Sequence, residues 1–409
     1  MADPSLAFAA PLTAPGSGVH GLDETGLLDA WREGDALFSS PRQQLHCRGV
    51  RERLQRAADA GLADAAEYLL AHHAEASDDR IPLLGAVPFD TAVPARLWLP
   101  RQAVYASGHA RHAGRPRTPA AARGMPRRVH AQPSTAGYER AVSRALERIG
   151  RGKLGKVVMS RCLRFSTRAE VAGLVAALLA RDPSGYTFAV DADAGEGRRH
   201  LVGTSPELLL RKHGNRVVSN PLAGSTPRSA DPDEDARRAR ALLVSDKDRH
   251  EHALVVDAVA AALSPWCQAL HVPPAPSLVA TPTLWHLSTR VEGTLVDAAT
   301  SALRLALALH PTPAVCGHPT PAARALIREL EGYDRDLFTG LVGWCDTHGD
   351  GEWAVTIRCA LVEPDCTTLY AGAGVVAGSC PRAELAETSA KLGTMLAALG
   401  LPPLAEDLA

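Results

Sequence analysis

Several features that mark other classes of protein are scarce or missing in this sequence. Aromatic residues make up only 4% of the 409 residues, and the formal net charge is -1 at pH 7. A charge so close to zero gives no general attraction to nucleic acid or to an acidic membrane surface, so we expect neither partner. No apolar run is long enough for a membrane span, and residues 1–18 lack the basic and apolar segments of a signal peptide.

The eight cysteines are scattered along the chain, and no two of them form a CxxC pair. Their spacing argues against a zinc knuckle and against a thioredoxin-like redox site. Scattered cysteines are typical of thiols that stay reduced, so we expect a cytoplasmic location. With 46% hydrophobic and 22% charged residues, the composition is that of an ordinary globular chain with a large buried core.

The N-terminal third has weaker structural signals than the rest of the chain. Residues 1–18 are predicted to be a flexible terminus. Residues 19–75 are predicted to be rich in helix, because apolar residues recur at helical spacing over Val50–His73. The composition then changes to Arg, Pro, Ala and Gly over about 105–137. We interpret that stretch as an exposed connection, whose arginines are solvated rather than bound to anions.

From residue 138 onward, predicted strands occur in groups rather than in strict alternation with helices. The predicted helices are Glu139–Ile149, Ser245–Leu263, Ala322–Leu330 and Pro381–Leu399. The predicted strands are Lys156–Phe165, Arg199–Lys212, Val217–Leu222, Leu341–Cys345, Glu352–Val362 and Thr368–Val376. Grouped strands favour antiparallel pairs and a mixed α/β or α+β fold over a doubly wound one. We predict one domain over 19–409, with its core motifs in 138–400.

The stretch Gly372–Ala377 matches the pattern G-x-G-x-x-A, which dinucleotide-binding domains place after a strand. Such a domain also needs a following helix, a second strand and an acidic residue about 20 residues downstream. Too little of the chain follows Ala377 for these parts, so this interpretation is disfavoured. The glycines instead fit a backbone that approaches a small anionic ligand.

Two predicted helices carry carboxylates that suggest a metal site. Glu251 falls on the apolar stripe of Ser245–Leu263, where a carboxylate is costly unless it is paired or neutralised. In the last helix, Glu384, Glu387 and Lys391 lie on one face. These three residues are either a surface ion-pair cluster or, together with Glu251, a source of the sparse oxygen ligands that Mg²⁺ accepts.

Two further residues are ambiguous when each is taken alone. Lys156 begins an apolar strand pattern, where a lysine commonly extends its amine to solvent. Glu207 follows Ser205-Pro206, and a turn at the proline would aim its carboxyl group into a cleft.

Taken together, ten ordered segments resemble the chorismate-utilising enzymes, and within that family the isochorismate synthases of siderophore and menaquinone pathways. The segments are 156–161 (KVVMSR), 203–211 (GTSPELLLR), 221–228 (PLAGSTPR), 245–252 (SDKDRHEH), 283–289 (TLWHLST), 309–314 (LHPTPA), 338–344 (FTGLVGW), 355–359 (VTIRC), 370–374 (YAGAG) and 384–391 (ELAETSAK). The resemblance implies a single two-lobed α/β fold, with large, mostly antiparallel sheets, flanking helices and a cleft between the lobes.

The resemblance also assigns roles to residues. Lys156 matches the general base for water, Glu207 matches the general acid, and Glu251 and Glu387 match the Mg²⁺ ligands. In the implied reaction, water attacks C2 of chorismate, the double bonds shift, and hydroxide leaves from C4. Lys156 must be neutral to take a proton, and Glu207 must be protonated to give one. The positions that match substrate-holding residues are Gly224, Ser225, His286, Ala314, Arg358, Gly372 and Lys391.

Related activities differ at identifiable positions. Anthranilate synthases, which use ammonia, typically carry a non-basic residue where Lys156 stands. Aminodeoxychorismate synthases typically carry a lysine where this chain has Ala223. Both activities are therefore disfavoured, and we expect a monomer without an amidotransferase subunit. Salicylate synthases share the base, acid and metal, so they are the first alternative. A non-catalytic partner subunit that binds chorismate is the second.

Overall fold

The computed structural model describes residues 31–74, 81–107, 129–193 and 198–404. The helices, in chain order, are α1 (Ala60–Ala74), α2 (Thr135–Gly150), α3 (Val171–Arg181), α4 (Pro232–Val244), α5 (Asp246–Leu263), α6 (Ala302–Leu309), α7 (Thr320–Leu330) and α8 (Pro381–Ala398). The strands are β1 (Ala36–Ser39), β2 (Gln43–Leu54), β3 (Pro82–Val87), β4 (Arg96–Ser107), β5 (Val129–Gln132), β6 (Lys156–Phe165), β7 (Tyr186–Asp191), β8 (His200–Ser205), β9 (Leu208–His213), β10 (Arg216–Asn220), β11 (Leu222–Pro227), β12 (Cys267–His271), β13 (Ser277–Ala280), β14 (Leu284–Ser288), β15 (Val291–Leu295), β16 (Gly317–His318), β17 (Leu341–Asp346), β18 (Gly351–Val355), β19 (Cys359–Val362) and β20 (Thr367–Val376).

Most strands join one long antiparallel ladder. Its order is β5-β6-β20-β19-β8-β7-β1-β2-β4-β3-β17-β18-β9-β10-β15-β12, and the short β16 pairs with the start of β6. A separate three-stranded sheet has the order β11-β14-β13. The predicted mixed α/β fold with large antiparallel sheets is therefore confirmed.

Two short connections carry the chain from one part of the ladder to a distant part, and the two connections lie next to each other. β8 pairs with β7 and β19, whereas β9, which follows after Pro206 and Glu207, pairs with β10 and β18. The chain crosses again between β18 and β19, through residues 356–358. Backbone hydrogen bonds tie the crossings together, because Thr204 N donates to Arg358 O at 3.1 Å and Val355 N donates to Glu207 O at 3.2 Å. Glu207 and Arg358 therefore lie side by side.

Helices α5 and α8 carry the acidic residues of the predicted metal site. Ser245 caps α5 by accepting a hydrogen bond from Asp248 N, and apolar residues on one face, including Val255 and Val259, are buried. α8 begins with Pro381, a favoured first residue of a helix, and packs against β20, β11 and α2. α5 packs against β11 and β14. Both helices thus border the three-stranded sheet.

The structure corrects the prediction of helix over Val50–His73. Its first part belongs to β2, and α1 begins only at Ala60. β2 pairs with β4 along its whole length, from Gln43 to Leu54, and this backbone pairing outweighs the helical spacing of a few apolar residues. Residues 1–30, including the predicted flexible terminus, lie outside the described residues.

The predicted exposed connection at about 105–137 is also partly wrong. β4 continues through Ser107, β5 pairs with β6, and α2 begins at Thr135. Residues 108–128 lie outside the described residues. Two long predicted strands, Arg199–Lys212 and Glu352–Val362, are each two strands joined by one of the crossings. No helix in the described part of the chain has both the length and the apolar character needed to cross a membrane.

Candidate active site

A cavity of about 660 Å³, part of it open to solvent, lies next to the two crossings. Ten of the eleven candidate residues line it. They are Glu207, Gly224, Ser225, Glu251, His286, Ala314, Arg358, Gly372, Glu387 and Lys391. Lys156 is the exception, because it lies behind the lining and contacts Glu251. The structure thus brings together the residues that the sequence scatters over more than 230 positions of the chain.

Lys156 is fully buried at the first position of β6, with a side-chain exposure of 0%. Its Nζ atom lies 2.9 Å from Oε1 of Glu251 on α5. Gly374 in the neighbouring strand β20 makes room for this contact. A Cβ atom there would lie only 2.1 Å from Oε1 of Glu251 and 3.1 Å from Cε of Lys156. The predicted cost of placing a carboxylate on the apolar stripe of α5 is thus offset by a buried cation.

Glu207 is buried in the crossing between β8 and β9, where its backbone N donates a hydrogen bond to Ser205 Oγ at 3.2 Å. Burial raises the pKa of its carboxyl group to about 7, against the opposing effects of a hydrogen bond from Leu222 and the charges of Lys156, Lys391 and Arg358. A carboxyl group with this pKa is protonated in a large fraction of molecules at neutral pH, so it can act as an acid.

Arg358 has a backbone φ of 50°, a left-handed conformation that few residues other than glycine adopt. Its guanidinium group is buried, and the Nη1 atom has no hydrogen-bond partner within the described residues. Burial lowers the pKa of Arg358 to about 10, which still leaves it charged at neutral pH. A buried cation with a free donor on the cavity wall is suited to an anionic ligand.

His286 is the neighbour of this arginine, with Nε2 at 3.5 Å from Nη2 of Arg358. It comes from β14, where it faces Ser225 of β11 in the register of the small sheet. Burial and the positive charges of Arg358 and Lys391 hold the pKa of His286 well below its usual value. The ring is therefore neutral at pH 7, and it can donate or accept one hydrogen bond without adding charge.

Glu387 and Lys391 form a second acidic and basic pair on α8. Nζ of Lys391 lies 2.6 Å from Oε1 of Glu387 and donates to the carbonyl oxygen of Gly372 at 2.8 Å. Ser225 Oγ donates to the same Oε1 at 3.1 Å. Although burial opposes the charge, the attraction of Lys391 lowers the pKa of Glu387, so the carboxylate is ionised at neutral pH.

The donor set fits the predicted Mg²⁺ site. Glu251 and Glu387 enter the cavity from different helices, and neither Oε2 atom accepts a hydrogen bond from any described residue. Glu384 lies near enough to Glu387 for the two carboxyl groups to repel, and burial together with this repulsion raises the pKa of Glu384. The described residues contain no group of three or more His, Cys, Asp and Glu side chains that would enclose a metal. Mg²⁺ commonly accepts one or two carboxylates and completes its shell with water and substrate.

The cavity also has aromatic lining that the sequence did not assign to the site. Phe338 and Tyr370 stack with ring centroids 5.0 Å apart and an angle of 15° between their planes. Both residues lie in segments that carry the family resemblance, FTGLVGW and YAGAG, and this was the available signal. They supply a flat apolar wall, which suits a ring-shaped ligand.

Comparison with known proteins defines the class. The sequence profile described as "Chorismate binding enzyme" matches residues 101–400, and the chain belongs to this family. The isochorismate synthase DhbC of Bacillus subtilis is 47% identical over 384 residues, covering 92% of this chain and 96% of that protein. The vibriobactin-specific isochorismate synthase of Vibrio cholerae is 45% identical over 368 residues, covering 89% and 91%. The structure of DhbC from Bacillus anthracis superimposes with a TM-score of 0.86 at 42% identity, covering 92% of this chain and 99% of that chain.

Proposed function

We propose that this protein is an isochorismate synthase, which converts chorismate to isochorismate with Mg²⁺. The observation that carries the proposal is the shared location of a buried lysine–glutamate pair and a carboxyl group whose pKa is about 7. The relatives described above, which are named isochorismate synthases and cover about nine-tenths of the chain, support the same activity. The family resemblance suggests that the product enters 2,3-dihydroxybenzoate and siderophore, salicylate or menaquinone biosynthesis.

The reaction requires two proton transfers, one from the attacking water and one to the departing hydroxyl group. Water adds at C2 of the ring and loses a proton, while the hydroxyl group at C4 gains a proton and leaves as water. We propose that Nζ of Lys156 takes the first proton and that the carboxyl group of Glu207 gives the second. Lys156 has to be neutral at that step, so it must first lose the proton that it holds in the ion pair with Glu251. Burial suits Glu207 to this task, because it keeps the acid protonated near neutral pH.

The remaining polar groups of the cavity suit a dianionic substrate. Arg358 offers its unpartnered Nη1 donor to one carboxylate of chorismate, and charge-assisted hydrogen bonds are the stronger ones. Lys391 and the backbone near Gly372 and Ala314 lie on the same lining, as do Gly224 and Ser225. His286, which is neutral, orients the ring without drawing an anion away from Arg358. Orientation of this kind lowers the barrier by several kcal/mol.

Glu251 and Glu387 are the residues that would hold Mg²⁺. When bound, the ion supplies positive charge for the second carboxylate of the substrate. The chain's own part is to present two carboxylates, from α5 and α8, in the wall of the same cavity. Lys156 and Lys391 lie close to these carboxylates, at 2.9 Å and 2.6 Å from the respective Oε1 atoms.

We also propose that the protein acts alone, as a cytoplasmic monomer. Water is the nucleophile, so no subunit has to deliver ammonia. All eight cysteines lie within the described residues and are free thiols, which favours a reducing compartment.

A product assay tests the activity. The purified chain is incubated with chorismate and MgCl₂, and products are separated by chromatography and checked for salicylate fluorescence. We expect isochorismate without salicylate or pyruvate, and loss of the activity with EDTA. Equal amounts of salicylate and pyruvate would instead identify a salicylate synthase. Binding of chorismate without any product would identify a non-catalytic subunit.

A further inference from the structure

Glu331 and Arg335 form a buried ion pair next to the cavity but outside its lining. Glu331 follows the end of α7 and is 2% exposed, and Arg335 is 3% exposed. Nε of Arg335 donates to Oε2 of Glu331 at 2.8 Å, and Nη2 donates to Oε1. A buried pair of charges is expensive to desolvate and is weak evidence for stability alone, so its remaining contacts decide what it does.

The other donors of Arg335 reach three segments of the cavity wall. Nη2 donates to the carbonyl oxygen of Val158 at 2.7 Å, and Nη1 donates to that of Val315 at 2.8 Å and to Thr339 Oγ1 at 3.3 Å. Val158, Val315 and Thr339 each line the cavity. A guanidinium group has five N–H donors, and all five are used here. Arg335 therefore has no donor left for a substrate, but it fixes the backbone that surrounds one.

Glu331 fixes the strand behind the glycine-rich wall. Its Oε1 atom accepts hydrogen bonds from both N and Oγ of Ser160, each at 2.7 Å. In the register of β6 and β20, Ser160 lies opposite Gly372, and Val158 lies opposite Gly374. The ion pair thus holds β6 at the two positions that face the two glycines of the cavity.

A second connection leads from the ion pair to the crossing that carries Arg358. Thr339, which receives the bond from Arg335, donates its backbone N to Thr356 O at 2.8 Å. Thr356 N in turn donates to Gly340 O at 2.9 Å. Two residues later the chain reaches Arg358. A shift of Thr339 would therefore pass through this pair of backbone bonds to the predicted anion-binding arginine.

We propose that Glu331 and Arg335 are positioning residues that set the spacing of three cavity walls for chorismate without touching it. This role rests on the proposed function. The walls are the β6–β20 wall, the Ala314–Val315 turn and the segment from Thr339 to Arg358. The lengths of the contacts are fixed by a planar guanidinium group, and a lysine cannot reproduce them because its three donors sit on one nitrogen.

The test compares Arg335→Lys with the wild-type protein. Arg335→Lys keeps the positive charge beside Glu331 but cannot hold the backbone of Val158 and Val315 together. We expect the KM for chorismate to rise about 10-fold or more, since misplacement of binding groups by about 1 Å has large effects. The midpoint of thermal unfolding is measured in parallel, so that KM is determined well below it.

A matched control is Asp350→Asn, which breaks another buried ion pair. Lys212 Nζ lies 3.0 Å from Asp350 Oδ1, and neither residue lines the cavity. Asp350→Asn should lower the unfolding midpoint and leave KM unchanged. A KM for Arg335→Lys within about twofold of wild type would overturn the proposal, as would an equal rise in KM for Asp350→Asn.

A milder variant covers the case in which Arg335→Lys does not fold. Ser160→Ala removes the hydroxyl hydrogen bond to Glu331, along with the 2.6 Å hydrogen bond between this hydroxyl group and that of Tyr333, and leaves the backbone bond to Glu331 in place. It should raise KM about threefold, in line with one hydrogen bond of ordinary strength, and an unchanged KM would overturn the proposal. Two measurements separate the two proposals: the product assay on the wild-type protein, and calorimetric titration of wild type and variant with chorismate. A wild-type protein that makes no isochorismate would refute the proposed function, whereas equal affinities of wild type and variant would refute the positioning role.

Discussion

Gly374 faces the contact between Lys156 and Glu251 in the predicted catalytic site, and Gly374→Ala perturbs this contact without removing a functional group. The added methyl group would lie 2.1 Å from Oε1 of Glu251 and 2.9 Å from its Cδ. The carboxylate must therefore retreat by roughly 1 Å to reach ordinary van der Waals contact. Cε of Lys156, at 3.1 Å, limits retreat in its direction. The contact between Lys156 and Glu251 cannot keep its present geometry.

We expect Gly374→Ala to lower kcat about 100-fold, the usual scale of a 1 Å misplacement in a catalytic site. It should also raise the Mg²⁺ concentration needed for half-maximal activity, because Glu251 is a predicted ligand. Overpacking costs about 1–3 kcal/mol, which a domain of ordinary stability survives. The assay is isochorismate formation as a function of the Mg²⁺ concentration, together with thermal unfolding.

Gly393→Ala is the matched control, since nothing lies within 4 Å of a Cβ atom at that helical position. It should leave kcat and Mg²⁺ dependence unchanged and stabilise α8 by about 1 kcal/mol. A folded Gly374→Ala variant with wild-type kcat and Mg²⁺ dependence would refute the assignment of Lys156 and Glu251 to the catalytic site.

Three further predictions concern the acid, the anion-binding arginine and the base. The pKa of Glu207, raised from 4.5 to about 7, means that its contribution to stability is present below pH 4.5 and is lost as pH rises through 7. Denaturant titrations should show this loss, about 3 kcal/mol in the free energy of unfolding, in wild type but not in Glu207→Gln, and kcat of wild type should fall above pH 7. If the difference in unfolding free energy between the two proteins did not change with pH, the raised pKa would be contradicted. Arg358→Lys should weaken chorismate binding about 10- to 100-fold by calorimetry, because a lysine amine does not reproduce the donor at Nη1, and unchanged affinity would exclude Arg358 from the substrate site. Lys156→Ala should abolish turnover while chorismate still binds, and retained turnover would exclude it as the base.

Much of the fold from residue 138 onward could be predicted, because its elements have clear local signals. β6 contains the apolar run Val157–Met159, and β20 is mostly apolar after its first two residues. α5 follows a capping serine, α8 begins with a proline, and both helices bury apolar residues. The N-terminal part could not be predicted, since β2 contains Arg51, Glu52 and Arg53 and is held by its pairing with β4 rather than by its composition.

The candidate residues could be found, but their geometry could not. Sequence spacing indicated that Glu251 faces the core, and the structure adds that Lys156 balances it. The crossings that place Glu207 beside Arg358 depend on strand pairings far apart in the chain, so Glu352–Val362 looked like a single strand. The roles of Glu331 and Arg335 had no local signal, because their importance lies in contacts with three distant segments.

The most direct test of the proposed mechanism is the reaction of chorismate in ¹⁸O-labelled water, with the product examined by mass spectrometry. If Lys156 activates water and Glu207 releases the original hydroxyl group, each isochorismate molecule formed will carry one ¹⁸O atom at C2. Unlabelled isochorismate would show that the original hydroxyl group is transferred within the molecule, and it would contradict the roles assigned to both residues.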